Sequence, residues 1–199
     1  NHDEYMEQLV TKHVCGRLKV APEHTADATL KVMRKPGFKY FRKFKEKFDA
    51  IQAKHGLKQP LIPYFISSHP GTTEEDMANL AAETKDLGFR LEQVQDFTPT
   101  PMTVATEIYY SGVHPYTLQP VETPKTAEDK KTQNNYFFWY KPEFKNWIRQ
   151  RLQKLNRPDL AAILLGNNPS QKDKKDKPLP LQQKSGDHKH QKDKRGFFG

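Results

Sequence analysis

Ser67, Ser68 and His69 are the residues of this chain best placed to do chemistry. Two hydroxyls and a titratable ring follow the apolar stretch Pro63-Tyr64-Phe65-Ile66 and precede the turn Pro70-Gly71. Next come Thr72, Thr73, Glu74, Glu75 and Asp76, a helix start with a hydroxyl cap and carboxylates in the first turn, where the positive helix end favours them. Strand, turn and helix in this order make a βα unit, and α/β proteins bind ligands at the carboxyl ends of their strands. The Ser-Ser-His group is therefore expected to hold a polar ligand. The alternative uses are local: hydroxyls can satisfy backbone groups at a strand end, and Pro-Gly makes a turn.

The elements that must carry such a site recur on either side. Residues 17–20 alternate as a short strand and stop at Pro22, leaving Glu23 and His24 at its end. Residues 25–34 read as a helix with Thr25 as its cap and with Leu30 and Met33 on one face. Residues 90–97 alternate with period two and end sharply at Thr98-Pro99-Thr100-Pro101. Helical patterns fill the gaps at 38–55 and 74–87, the second stopped by Gly88. Strands alternating with helices predict an α/β fold with a parallel sheet. Three such units are too few to close a barrel.

Residues 104–167 read as a second unit. It opens with an aromatic loop at 109–116 that holds Tyr109, Tyr110, His114 and Tyr116. A helix is predicted from Thr126, then five consecutive aromatics from Tyr136 to Tyr140, then a helix starting at Pro142 with Phe144, Trp147, Ile148, Leu152 and Leu155 on one side. The aromatic run is a core seam or a base-stacking platform, and large apolar area favours the core. A last short helix at 158–165 stops at Gly166.

Lys and Arg number 33 against 24 Asp and Glu, a formal charge of +9. Nine of those cations and four of the acids fall after residue 167, so that stretch alone carries +5. Its many Lys, Gln, Asp and Pro residues predict a disordered basic tail from 168 to 199. One cysteine, Cys15, rules out an intrachain disulfide, suits a reducing compartment, and is expected to be a small buried hydrophobe. The chain opens Asn1-His2-Asp3 without methionine and shows no signal peptide or long apolar run. The expectation is a cytoplasmic portion of a larger protein, without a membrane segment and with no metal site of its own.

Three motifs in order carry a resemblance. Pro22-Glu23-His24-Thr25 with Leu30-Lys31-Val32-Met33-Arg34 looks like the fourth strand and following helix of radical S-adenosylmethionine enzymes of the methylthiotransferase-like branch. Ile66-Ser67-Ser68-His69-Pro70-Gly71-Thr72 is similar to that branch's fifth strand and turn. Asp96-Phe97-Thr98-Pro99-Thr100-Pro101 resembles its sixth strand. The wording of the three together resembles the YgiQ-like radical S-adenosylmethionine proteins, over residues 1 to about 166.

The resemblance implies the carboxyl half of a TIM-type (β/α) barrel over 1–103, a helical extension over 104–167 and the tail. It implies S-adenosylmethionine and a [4Fe-4S] cluster as cofactors. A single cysteine cannot hold such a cluster, so its ligands are expected in the N-terminal half of the same polypeptide, and this chain alone is not competent. Carried over by position, the cofactor-binding candidates are Glu23, His24, Ser67, Ser68, Phe97 and Thr98. His69, Tyr109, Tyr110 and His114 are expected on the substrate side. Glu23 could instead cap a helix, and Phe97 could be core. The competing reading is a stand-alone basic α/β module binding RNA through the aromatic run and the tail; the ordered strand-end motifs favour the enzyme.

Overall fold

The structure, a computed structural model, describes residues 2–91 and 94–166. The basic tail and residues 92 and 93 lie outside the described residues.

Three parallel strands form the sheet: β1 (Leu18–Glu23), β2 (Leu61–Ser67) and β3 (Gln95–Asp96), ordered β1-β2-β3. Leu18 pairs with Leu61 and Val20 with Pro63, and Ser67 pairs with Asp96. β1 runs through Pro22, past the predicted stop. It is an edge strand, and the register shifts between Val20 and Glu23, so the missing proline N–H interrupts no regular ladder. Pairing of the alternating stretch 90–97 is narrower than expected, at Gln95 and Asp96.

Two helices connect β1 to β2, α2 (Asp27–Val32) and α3 (Lys39–His55), and α4 (Glu74–Asp86) connects β2 to β3. Upstream, α1 (His2–Gln8) continues into a π-helical turn, Leu9–His13. Thr25 is not the cap of α2. Ala26 holds that position without a side-chain cap bond, and its own N–H donates to His24 Nδ1 at 2.9 Å. In α4, Thr73 caps in a reciprocal box with Asp76. α3 closes on Gly56 in the left-handed conformation.

The predicted aromatic loop is helical in its first part. Thr103 caps α5 (Val104–Ser111) by accepting from the Thr106 N–H, and Gly112, at φ 72°, ends it. Thr126 and Asp129 form the capping box of α6 (Ala127–Asn135). A 3₁₀ turn, Tyr136–Phe138, leads to α7 (Pro142–Lys154) and α8 (Pro158–Leu165). Lys85 of α4 donates to the Ile163 and Leu164 carbonyls at 2.6 and 3.2 Å and so satisfies the end of α8.

The sheet and the later helices share one core. Phe65 of β2, Leu30 of α2, Phe41 of α3 and Met77, Leu80 and Ala81 of α4 pack in one cluster with Tyr136, Phe137, Ile148, Leu152, Leu160 and Leu164. Tyr136 and Phe137 are fully buried, so the aromatic run is a core seam and offers no open face at these two rings. Tyr136 donates from its hydroxyl to Glu74, which also pairs with Arg151 of α7. Cys15, expected inside, is exposed. Among the described residues no helix is long and apolar enough to cross a membrane.

Phe137→Ala is expected to destabilise the fold by about 3–5 kcal/mol, because a fully buried ring leaves a cavity. Thr73→Ala should cost about 1 kcal/mol through loss of the cap. Urea unfolding midpoints of the two variants check both the magnitudes and their order.

Candidate functional site

Parallel pairing brings the carboxyl ends of β1, β2 and β3 to one edge, and a cleft of about 520 Å³ opens there. Glu23 from the end of β1, Ile66 and His69 from β2 and its loop, and Phe97 and Thr98 after β3 line it. Arg34 and Lys35, just past α2, supply positive charge on the same wall. This size suits a small molecule.

Glu23 sits at φ 68°, left-handed for a residue with a side chain. Its carboxylate pairs with Lys35 Nζ at 3.0 Å, and the same ammonium donates to the Ala21 carbonyl at 2.9 Å. Glu23 therefore does not cap a helix; it is turned toward the cleft and neutralised from one side. Ser68 is also left-handed, at φ 62°. Such conformations cost about 1–3 kcal/mol each and collect at functional sites.

His69 is nearly buried. Its Nδ1 lies 2.8 Å from the Pro70 carbonyl. A carbonyl only accepts, so Nδ1 carries the proton and Nε2 keeps its lone pair. Burial lowers the His69 pKa, opposed by the Pro70 bond and the nearby Glu23 charge. The ring meets Phe97 edge-on at 4.9 Å, and Phe97 in turn meets Tyr109 at 5.7 Å.

His24 is fully buried, and desolvation lowers its pKa to about 4, with Asp76 acting in the opposite direction. Because Nδ1 accepts from Ala26, the neutral ring carries its proton on Nε2, and that N–H has no partner among the described residues. Ser67 and Ser68 are fully buried too. Ser67 Oγ donates to the Asp96 carboxylate. The Ser68 N–H donates to Gln133 Oε1 at 2.8 Å, while Ser68 Oγ has no partner among the described residues.

Of the residues expected from sequence to touch a ligand, Glu23, His69, Phe97 and Thr98 line the cleft; His24, Ser67 and Ser68 support it from within. Tyr109 reaches the cleft only through Phe97, with Lys130 5.1 Å from its ring. Tyr110 is exposed, and His114 Nδ1 accepts from the Tyr116 and Thr117 N–H groups at 3.3 Å each. Sequence reasoning missed Lys35, Asp96 and Gln133. Lys35 follows Glu23 by twelve residues and was readable as a charge pair; the other two contact groups 29 to 65 residues distant and left no local signal.

The cleft's donors suit a ligand carrying both charges: a carboxylate for a cation, two basic side chains for an anion, a ring and threonine hydroxyls beside them. An iron–sulfur cluster does not fit this chain's residues. The sequence has one cysteine, and among the described residues no three His, Cys, Asp or Glu side chains gather to hold a metal.

Three parallel strands joined by helices, with a cleft at their carboxyl ends, define an α/β protein. Residues 92–195, half of the chain, match the family described as "Domain of unknown function (DUF3362)", and the chain belongs to that family. It is 57% identical over 180 residues to a UPF0313 protein of Porphyromonas gingivalis, a match covering 90% of this chain and 28% of the relative. Over 163 residues it is 60% identical to a UPF0313 protein of Bacteroides thetaiotaomicron, covering 82% and 26%. A UPF0313 protein of Pseudomonas putida is 43% identical over 164 residues, covering 80% and 21%. The chain thus spans about a quarter of the length of the curated relatives it matches. No solved structure matches it.

His24 makes stability depend on pH. The unfolded ring takes a proton near 6.5 and the folded one only near 4, so the contribution is complete above 6.5 and is lost as pH falls toward 4. The loss is on the order of 3 kcal/mol, and His69 adds in the same direction. Urea midpoints measured across this range should fall with acidity in the wild type and fall less in His24→Gln. A flat wild-type profile would show that His24 is not held neutral.

Proposed function

We propose that this chain is the carboxyl portion of a radical S-adenosylmethionine enzyme of the YgiQ-like family, comprising part of a (β/α) barrel and its C-terminal extension. The observation that carries the reading is the cleft, which gathers Glu23, His69, Phe97 and Thr98 from three consecutive parallel strand ends. The motifs in sequence order and the length of the relatives support it.

In this reading the cleft holds S-adenosylmethionine. Glu23 would accept from the amino group, and Arg34 and Lys35 would meet the carboxylate. Phe97 would flank the adenine, and Thr98 would bond a ribose hydroxyl. His69, proton on Nδ1, would offer Nε2 as an acceptor. The cofactor, with a [4Fe-4S] cluster held elsewhere in the polypeptide, would supply one-electron reductive cleavage of the sulfonium. The N-terminal part of the same polypeptide provides the cluster thiolates, and the substrate side lies toward Tyr109, Tyr110 and His114. The residues of this chain bind, orient and partly desolvate the ligand.

The test uses the full-length polypeptide, reconstituted anaerobically with iron and sulfide and reduced. It should form 5′-deoxyadenosine from S-adenosylmethionine; at limiting cofactor Glu23→Gln should lower the yield by about tenfold or more, the scale of one lost charged contact, and Phe97→Leu by about two- to tenfold, the scale of one lost ring contact, with circular dichroism unchanged. Unaltered product formation by both variants would remove the cleft from cofactor binding.

A further inference from the structure

The loop from Ser68 to Thr72 carries His69 into the cleft, yet it belongs to no helix or strand. The Thr72 N–H bonds the His69 carbonyl within the loop, but several other polar backbone groups are bonded to distant parts of the chain. The Gly71 N–H donates to the Glu122 carbonyl at 2.7 Å, and the Gly71 carbonyl accepts from Thr29 Oγ1 at 3.0 Å. At the two ends of the loop the partner is a single side chain. Gln133 Oε1 accepts from the Ser68 N–H at 2.8 Å, and Gln133 Nε2 donates to the Thr72 carbonyl at 2.8 Å.

Gln133 is 4% exposed, on the last turn of the otherwise polar helix α6. Its carboxamide offers one acceptor and one donor on the same edge, as the N–H and C=O of a single residue do in a strand. It stands in for a missing strand at the point where β2 ends. No other side-chain type of this reach and charge provides both. Removing it strands a buried N–H and a buried carbonyl in a loop already holding Ser68 at φ 62°.

We infer that Gln133 is a positioning residue. Through it the segment following Thr126 fixes the Ser68–Thr72 loop, and with it the place of His69 in the cleft. The shape of the cleft is thus set by a helix that does not line it. The inference goes beyond the cofactor reading and holds for whatever small molecule the cleft takes.

Amide hydrogen exchange in the full-length polypeptide tests it without any ligand. Gln133→Met keeps the volume and loses both bonds; exchange at Ser68, His69, Gly71 and Thr72 should quicken by about tenfold or more relative to wild type, while α7 and α8 keep their protection. Gln133→Glu gives a second reading that a mere packing role would not produce. Burial raises the carboxyl pKa, so at about pH 5 the protonated acid can make both bonds, and at about pH 8 the carboxylate repels the Thr72 carbonyl. Loop protection should match wild type at the lower pH and fall at the higher, each compared with wild type at the same pH. Unchanged loop exchange in Gln133→Met, loosening spread evenly over β1 and α3, or a Gln133→Glu loop indifferent to pH would overturn the inference. None of these outcomes bears on cofactor cleavage, so the two readings fail separately.

Discussion

Parallel pairing of three consecutive strands is the constraint on which the molecule depends. A strand that returns in the same direction must first cross back, and α2, α3 and α4 make those crossings. Once β1, β2 and β3 pair, their carboxyl ends share one edge whatever their side chains. Residues more than seventy positions apart, Glu23 and Phe97, become walls of one cleft. The helices then cover Pro63, Phe65 and Ser67 on one face of β2, which sets the direction in which the loop residues emerge.

That edge is polar where the core is apolar, and the join is made by bonded groups. His24 gives its Nδ1 to a helix start, Ser67 its hydroxyl to Asp96, and Gln133 both ends of its amide to the loop. Each would be costly buried alone. His24 Nε2 and Ser68 Oγ are exceptions, buried and without partners among the described residues, each on a residue next in sequence to one that lines the cleft. Two left-handed residues, Glu23 and Ser68, stand at adjacent strand ends. Strain and unsatisfied groups therefore gather at the edge where the cleft opens.

The later helices do more than extend the chain. Tyr136, Phe137, Ile148 and Leu152 pack in the same cluster as the sheet, and the Tyr136–Glu74–Arg151 contacts bind the start of α4 to α7. The segment belonging to the domain family of unknown function is therefore continuous with the core beneath the site. Its aromatic run serves packing, which leaves an RNA-binding reading without the stacking faces of Tyr136 and Phe137.

Element types were legible because their causes are local. The alternating apolar stretches, the Thr73 and Thr126 caps and Gly88 after α4 act within a few residues, and the α/β class follows from their order. The local signals misled where a tertiary contact outweighed them. Pro22 stays in an edge strand because nothing needs its N–H, and Ala26, not Thr25, stands at the start of α2, with its N–H bonded to His24. The sequence by itself determined that strand ends carry Glu23, His69, Phe97 and Thr98. Only the tertiary structure decided that these four face the cleft while His24, Ser67 and Ser68 turn inward, that Lys35 neutralises Glu23, and that Gln133 closes the loop. The physical reason is distance along the chain: a cap or a turn is written in neighbouring residues, but a buried hydrogen bond is satisfied by whichever group the packing brings near.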